Sequence, residues 1–560
     1  MYILVSSRGL VLQGGGPLGA YEAGAFRVLH DWFTKQKSDK NFFDVIAGTS
    51  IGAINAAIIV SYVKERRKKG FGISESWKGS ANKLENFWEH VSSDPQISYM
   101  WSYHWIDWDE RHRTDCNVAS KEAARRYYGT KELLWSGAER VFSAPNIVHD
   151  EKFFDQSNIG HLYSNKPLQD TIQGKEGADG FAKFPIATKV DDDEPRLLLI
   201  SVDVEEGATV AFDSYADKDG SRVSEYGEYG TRFGRGTKEE YEHAIRYEEG
   251  IMLEHVMASA SVPLFYDFQR VPKKYDYARA KRGLEQDSTS DNSRPFWDGA
   301  LLSNTPLREL ISEHTLFWKE KKKIALDNPL DALWKGKNEG EKVPDLDIYI
   351  VNVWPTKEKG LPSDQDLTKD RMYDIMGCDK TEYDLKVATL VTDYRDLTLE
   401  LIRLAKDKRI PKDDVIEILE KLAKSKFRTG KQRRYKDLLK GKFDVNEVLR
   451  IERRDDVDSI SNKWADWSSM TISRLLDEGK KDTLTKLIDR LMVIVDNDGL
   501  SSNVKDRLIV PLTRAKDVLD DDRPSYYDNV WIQLTKFIEQ VDIEGTQSRL
   551  NKEKVAMLRP

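Results

Sequence analysis

The chain has 560 residues, of which 32% are charged, and its 87 basic residues nearly cancel its 95 acidic ones to leave a net charge of −8. A general nucleic-acid binder would carry a basic excess, so no nucleic-acid partner is expected. The two cysteines, Cys116 and Cys378, are far apart, and the nine histidines show no ligand spacing, which excludes a disulfide framework and gives no metal or cofactor site.

The first ten residues have no basic segment ahead of a long apolar core, and a cytoplasmic chain is expected. The first element is GLVLQ (9–13), a short buried strand that runs into three consecutive glycines. The helix PLGAYEAGAFRVLHDWFTKQK follows. Its apolar residues Leu18, Tyr21, Ala25, Val28, Leu29, Trp32 and Phe33 recur at intervals of three and four, and Pro17 suits a first helical position. FDVIAGTSIGAINAAIIVSYVKERRKKG then reads as strand, tight turn and helix, with cations at the helix end. Within it, AINAAIIVSYV is the most apolar run, but eleven residues interrupted by Asn55 cannot cross a bilayer. Strand–turn–helix twice in succession predicts an α/β fold with a mainly parallel sheet and crossover helices.

Regularity fades over about 74–180, an aromatic-rich insertion that includes Trp101, Tyr103, Trp105 and Trp108. Packing of this insertion is favoured over an acyl channel or a membrane contact. RLLLISVDVEEGATVAFDS reads as a hairpin around Glu205-Glu206-Gly207, and residues 215–250 as an exposed loop. MLEHVMASASVPLFY is expected to be helical up to Pro263, and LDIYIVNVW to be another strand. Beyond about residue 370 the texture becomes charged amphipathic helix, with VNEVLRIERR (445–454) as one further strand returning to the sheet. The expected organisation is an α/β domain over 1–365 and a mostly helical C-terminal region over 366–560.

Three glycine-bearing motifs carry the chemistry. Gly14-Gly15-Gly16-Pro17-Leu18-Gly19 satisfies the dinucleotide spacing after a strand and before a helix, yet its acidic partner would have to be Asp39 or Asp44, and Asp44 begins the next strand. Ala20 stands where a phosphate-loop lysine would be. What survives is a set of backbone amides at a helix start, aimed at negative charge. Gly48-Thr49-Ser50-Ile51-Gly52 is GxSxG between strand and helix, the nucleophile-elbow arrangement, in which flanking glycines let the backbone pass close to an exposed serine. Asp298 in FWDGALLSNTPL is a carboxylate in an apolar run, expensive unless used or paired. Capping of a turn at Ser303-Asn304-Thr305-Pro306 is its competing role.

GGGPLG, GTSIG and DGA, in this order, resemble the patatin-like phospholipase family over about residues 8–355, with ASASVPLF also similar to the family's late core. The resemblance implies a three-layer α/β/α fold and hydrolysis of lipid acyl esters by a serine–aspartate dyad. Carried over by position, Ser50 is the nucleophile and Asp298 the base. The amides of Gly15 and Gly16 form the oxyanion hole, and Gly14 permits the turn. Gly48 and Gly52 flank the elbow, and Gly299 and Ala300 complete the motif after the base. The family often has Arg or Lys at the position of Leu18. The expected partner is a lipid or other hydrophobic ester, with peripheral membrane contact open. A polyester depolymerase or acyltransferase on the same dyad is the enzymatic alternative, and a scaffold with impaired turnover the non-enzymatic one. A histidine-dependent triad using His314 or His255 is disfavoured, because both read as structural.

Overall fold

The computed structural model describes residues 6–35, 39–95, 121–144, 161–175, 179–216, 220, 222–223, 225–226, 245–272, 293–318, 343–356, 361–426, 432–436, 443–453, 459–497, 500–520, 525–547, 550 and 552–558. The aromatic stretch at Trp101–Trp108 lies outside them.

The opening strand β1 (Ser7–Leu12) leads through the glycines and a 3-10 turn into α1 (Gly19–Thr34); β2 (Val45–Thr49) and α2 (Ile51–Lys68) repeat the pattern. Helix α3 (Ser80–Val91) follows, then the hairpin β3 (Arg196–Asp203) and β4 (Ala208–Asp213), then α4 (Leu253–Ser259). Next come β5 (Gln269–Pro272), β6 (Ser293–Asp298), α5 (Leu307–Leu316) and β7 (Leu346–Asn352). The remainder is α6 (Gln365–Gly377), α7 (Glu382–Asp407), β8 (Val445–Glu452), α8 (Ser469–Asn497), α9 (Ser502–Asp520) and α10 (Tyr526–Thr546).

The main sheet runs β5-β6-β3-β2-β1-β7-β8, with β4 and the two-residue strand Glu225–Tyr226 off this path. Its central strands β3, β2, β1, β7 and β8 are all parallel, and antiparallel pairs extend it on the β6 side. Alternation along each strand divides the apolar side chains between two faces. Leu10, Leu12, Ile46, Leu197, Leu199 and Val351 join the large core under α1, α2, α3 and α8. Val11, Val45, Ala47, Leu198, Ile348 and Ile350 join a smaller core with Leu307 and Leu310 of α5. Helix, sheet and helix therefore form three layers.

The polar residue in the apolar run has a structural use. Asn55 on α2 donates to the Gly19 carbonyl at 3.0 Å and to Glu22 Oε2 at 2.8 Å, and accepts from Trp88 Nε1 at 3.1 Å, tying α1, α2 and α3 together. The late helix α8 lies directly on α1. A β-carbon at Gly24 would run into the Leu476 carbonyl, and one at Gly479 into the Tyr21 carbonyl. Backbone touches backbone at both crossings, so the C-terminal helices share the core of the sheet.

Several local expectations need correction. The described parts of the insertion are more regular than its composition implied, carrying α3 and further helices at Lys121–Ser136 and Lys166–Gln173. The described parts of 215–250 are not simply exposed: Tyr215, Arg222 and Tyr247 are buried, and Arg222 donates to the Ser214 and Glu248 carbonyls. Polar composition hid this, because the arginine spends its charge on backbone oxygens. Helix α4 also stops at Ser259, four residues before Pro263. Among the described residues, no helix is long and apolar enough to cross a membrane.

Candidate active site

Strand pairing brings the serine and the aspartate together. β2 runs parallel to β3 as far as Thr49 beside Ile200, while β6 runs antiparallel to β3 and ends with Asp298 beside Ser201. β4 occupies the opposite edge of β3 over Leu198–Asp203. β2 and β6 therefore share one edge of β3 and point at each other. Their ends meet across a single step of β3, about 3.3 Å, so Ser50 emerges opposite Asp298.

Ser50 sits at φ +56° and ψ −124°, a conformation costly for a residue with a side chain. Its surroundings hold it there. Its N–H donates to Ser259 Oγ at 3.0 Å, and Ser259 in turn donates to the Ile200 carbonyl. The Ser50 carbonyl accepts from Ala53 N at 3.0 Å, starting α2. A β-carbon at Gly48 would collide with the Gly52 carbonyl, and one at Gly52 would lie 2.5 Å from the Leu12 carbonyl oxygen. Both flanking glycines are thus sterically required.

Asp298 is 1% exposed. Its N–H donates to the Ser261 carbonyl at 2.9 Å, and Oδ1 accepts from Ala300 N at 2.8 Å. Burial pushes its pKa up to about 7, while the Ser50 hydroxyl and the Ala300 amide hold it lower than burial alone would. Oδ2 is buried and lacks a fully aligned partner. The hydroxyl is thus near enough to affect the carboxyl's titration without a well-formed bond between them. Loose geometry of this kind is common before substrate binds. Gly299 has no room for a β-carbon, which would meet the Ile200 carbonyl.

The glycine loop lies against the same point. A β-carbon on Gly14 would be 3.0 Å from that of Ser50. Gly14 is held at both ends, donating to the Asn304 carbonyl at 3.2 Å and accepting from Trp354 Nε1 at 2.6 Å. Gln13 fixes the loop's base: Oε1 accepts from Val353 N and Trp354 N, and Nε2 donates to Thr305 Oγ1 and the Gly377 carbonyl. The amides of Gly15 and Gly16 have no partner among the described residues. Gly16 takes φ +57°, and a β-carbon there would be 2.7 Å from the Trp464 carbonyl. The 3-10 turn Gly16–Leu18 follows, with Pro17 inside it.

Ser50, Asp298, Ala300, Gly14, Gly15 and Gly16 all line one cavity of about 490 Å³. Its walls are mainly apolar, with Leu134, Phe142, Tyr163, Leu168 and Phe265 from the earlier part of the chain. Tyr373, Met376, Lys380, Trp464 and Trp467 come from beyond residue 365. Asp298 and Lys380 are the only charged side chains among the described residues that line it.

Gln13, Asn304, Trp354, Tyr373, Lys380 and Trp464 were not singled out by sequence reasoning. Asn304 stands inside the quoted LLSNTPL segment, and Gln13 directly before the glycines, so adjacency was the available signal for those two. The others arrive by tertiary packing. His314 is buried with Nε2 on the Pro344 carbonyl at 2.9 Å, and burial lowers its pKa to about 4. His255 is buried, its Nδ1 accepts from Met252 N at 3.0 Å, and burial lowers its pKa to about 3. Neither lines the cavity. Leu18 is fully buried. Asp44 precedes β2, at the end of the strand away from Ser50, and binds Arg8 N at 2.7 Å, so it is not positioned to serve a dinucleotide at the glycine loop. Among the described residues, no group of three or more His, Cys, Asp or Glu is gathered to hold a metal.

Fold and cavity define an α/β protein with a serine on a strained strand-to-helix turn, a buried aspartate opposite it and free glycine amides beside it. The family model of patatin-like phospholipases matches residues 10–311, more than half of the chain. The chain belongs to the patatin-like phospholipase family, and at that level it is a lipid acyl hydrolase. No curated protein matches it significantly. Among solved structures, VipD from Legionella pneumophila is similar at 11% identity and a TM-score of 0.27, over 99% of this chain and 83% of that one. ExoU of Pseudomonas aeruginosa, in complex with SpcU, is similar at 13% identity and a TM-score of 0.17, over 99% and 90%.

Proposed function

We propose that the chain hydrolyses carboxylic esters of lipids through an acyl-enzyme on Ser50, with Asp298 as the base. The observation that carries this reading is the meeting of β2 and β6 on one edge of β3, which sets the Ser50 hydroxyl against a carboxyl of raised pKa. A carboxylate near its pKa at neutral pH takes a serine proton less uphill than one at about 3.9.

In the first half-reaction, Ser50 Oγ attacks the ester carbonyl as its proton passes to Asp298. The oxyanion forms against the Gly15 and Gly16 amides, where each donor contributes about 3–4 kcal/mol of transition-state stabilisation. Collapse expels the alcohol, which leaves with the proton from Asp298. Water then attacks the acyl-enzyme, giving its proton to Asp298, and the fatty acid departs as Ser50 is reprotonated. The apolar walls accept the acyl chain. Leu18 does not bear on these steps, because its side chain is fully buried in the core and it does not line the cavity.

A fluorophosphonate probe tests the reading. The wild type is expected to be labelled and Ser50→Ala to be unlabelled, with p-nitrophenyl ester hydrolysis lost in parallel. Labelling that survives Ser50→Ala rejects it.

A further inference from the structure

Exposed apolar side chains from separate parts of the chain meet at the cavity. Val262, Leu301 and Met376 line the cavity itself and are also solvent-exposed. Beside them in sequence stand Leu264, Leu302 and Ile375, exposed at 74%, 55% and 53%. Leu162 joins Leu264 through its N–H, which donates to the Leu264 carbonyl at 3.0 Å. Isolated exposed leucines need no explanation, but exposed apolar side chains from three segments gathered at one cavity form a rim that marks a contact surface.

Leu264 adds an independent observation. It holds φ +71°, a left-handed conformation that leucine adopts at a cost and asparagine or glycine adopts readily. The flanks fix it there: Phe265 N and Tyr266 N donate to the Val262 carbonyl, and Phe265 accepts from Tyr163 N and stacks on the Tyr163 ring. The turn thus spends backbone strain to hold out the most exposed leucine of the rim. Such an outlier points to a use outside the fold. The rim also carries one cation. Lys380 is exposed at the cavity wall, donates to the Met376 carbonyl at 2.9 Å and makes no ion pair among the described residues.

We propose that this rim is an interfacial docking surface that seats the cavity mouth on a bilayer containing anionic phospholipid, with Leu264, Leu302 and Ile375 entering the acyl boundary and Lys380 meeting a headgroup phosphate. The inference rests on the lipid ester hydrolase reading for its choice of occupant. A rim of apolar side chains with one unpaired cation complements a surface of acyl chains under phosphates. It also delivers the ester bond to a cavity whose walls are mainly apolar, without passing the chain through water.

Vesicle co-sedimentation tests the docking with Ser50→Ala protein, so that binding is read without turnover. The protein is expected to sediment with phosphatidylcholine vesicles containing phosphatidylglycerol, and more weakly with phosphatidylcholine alone. Leu264→Asn and Ile375→Asn each lower partitioning by about tenfold or more, from the loss of one buried apolar side chain. Lys380→Gln removes the preference for the anionic vesicles. Leu264→Asn does this with an unchanged or higher Tm, because asparagine fits the left-handed turn. In an otherwise wild-type chain, Leu264→Asn leaves hydrolysis of soluble p-nitrophenyl butyrate unchanged. Failure of the Ser50→Ala protein to bind vesicles, undiminished binding by Leu264→Asn, or concentration-dependent dimers abolished by Leu264→Asn would each overturn the docking. If vesicles bind while p-nitrophenyl butyrate is never cleaved, the docking stands and the hydrolase reading fails.

Discussion

Ser50 and Asp298 stand at the facing ends of two strands, one parallel and one antiparallel to β3, which both lie along the same edge of that strand. The pair is therefore set by sheet register, with no loop intervening between either residue and its strand. Side-chain replacement should remove chemistry while leaving the register intact. Ser50→Ala and Asp298→Asn are each expected to lower kcat on a p-nitrophenyl ester by on the order of 10⁴-fold or more, with unchanged circular dichroism. A decrease of only a few fold for Asp298→Asn would show that another group takes the proton.

The raised pKa of Asp298 predicts opposite pH trends for activity and stability. With the Asp298 carboxylate as the proposed base, kcat/KM is expected to climb about tenfold per unit below pH 7 and to level off above it. Stability goes the other way. The folded pKa of about 7 exceeds the ordinary 3.8, so the native state holds a proton that the unfolded chain has released. That contribution is full below the unfolded pKa and is lost as pH rises through about 7, at roughly 1.4 kcal/mol per unit of difference. Asp298→Asn escapes the loss. Its Tm should exceed that of the wild type at pH 8 and approach it near pH 4.

Much of this site was legible because each motif sat beside its own element. GTSIG lay between an apolar strand and an alanine-rich helix, and the glycine run between Leu12 and Tyr21, so local spacing sufficed. The strand at Val445–Glu452 was visible from its apolar residues. What local spacing does not encode is which distant surfaces meet. Gly24 and Gly479 are unremarkable helical glycines in sequence, and only the crossing of α1 and α8 gives them their use. Trp464 and Tyr373 reach the cavity from segments that read as ordinary amphipathic texture. Arg222 looked like loop polarity because its backbone acceptors are specified by tertiary structure.

The crossing of α1 and α8 gives a stability prediction. At Gly24 and Gly479 an added methyl meets carbonyl backbone, which cannot swing aside as a side chain could. Gly24→Ala and Gly479→Ala should each destabilise by about 3 kcal/mol, at the upper end of ordinary overpacking, read as a lower midpoint in urea. Helix propensity alone would favour alanine by up to about 1 kcal/mol. Stabilisation by either change would mean that the helices do not cross this closely.

The histidines separate a dyad from a triad. His255 and His314 are both buried away from the cavity, with one ring nitrogen of each engaged by backbone. His255→Gln and His314→Gln should keep the pH profile and the fluorophosphonate labelling rate per folded molecule, even where Tm falls. Abolished labelling in folded His314→Gln would reinstate a histidine base.

Lys463 connects the C-terminal segment to the site through charge. It is fully buried, with Nζ 2.9 Å from Asp370 and 2.5 Å from Asp374 on α6, and it lies over the Trp354 ring at 5.6 Å. The next residue, Trp464, presents its carbonyl to Gly16. Lys463→Met would leave two buried carboxylates facing each other, a change expected to cost about 3–5 kcal/mol at neutral pH. Burial already raises the Asp374 pKa to about 6 even with the lysine partly offsetting it. Without the cation that pKa rises further, so the damage should shrink as pH falls and Asp374 takes up a proton. Lys463→Met combined with Asp370→Asn and Asp374→Asn should recover most of the lost stability at pH 7. Because Trp354 and Trp464 both brace the glycine loop, Lys463→Met should also slow fluorophosphonate labelling of the folded fraction, and the triple variant should restore it. A slow label that persists in the stable triple variant would locate the defect in the lysine's charge itself, in place of the packing it maintains.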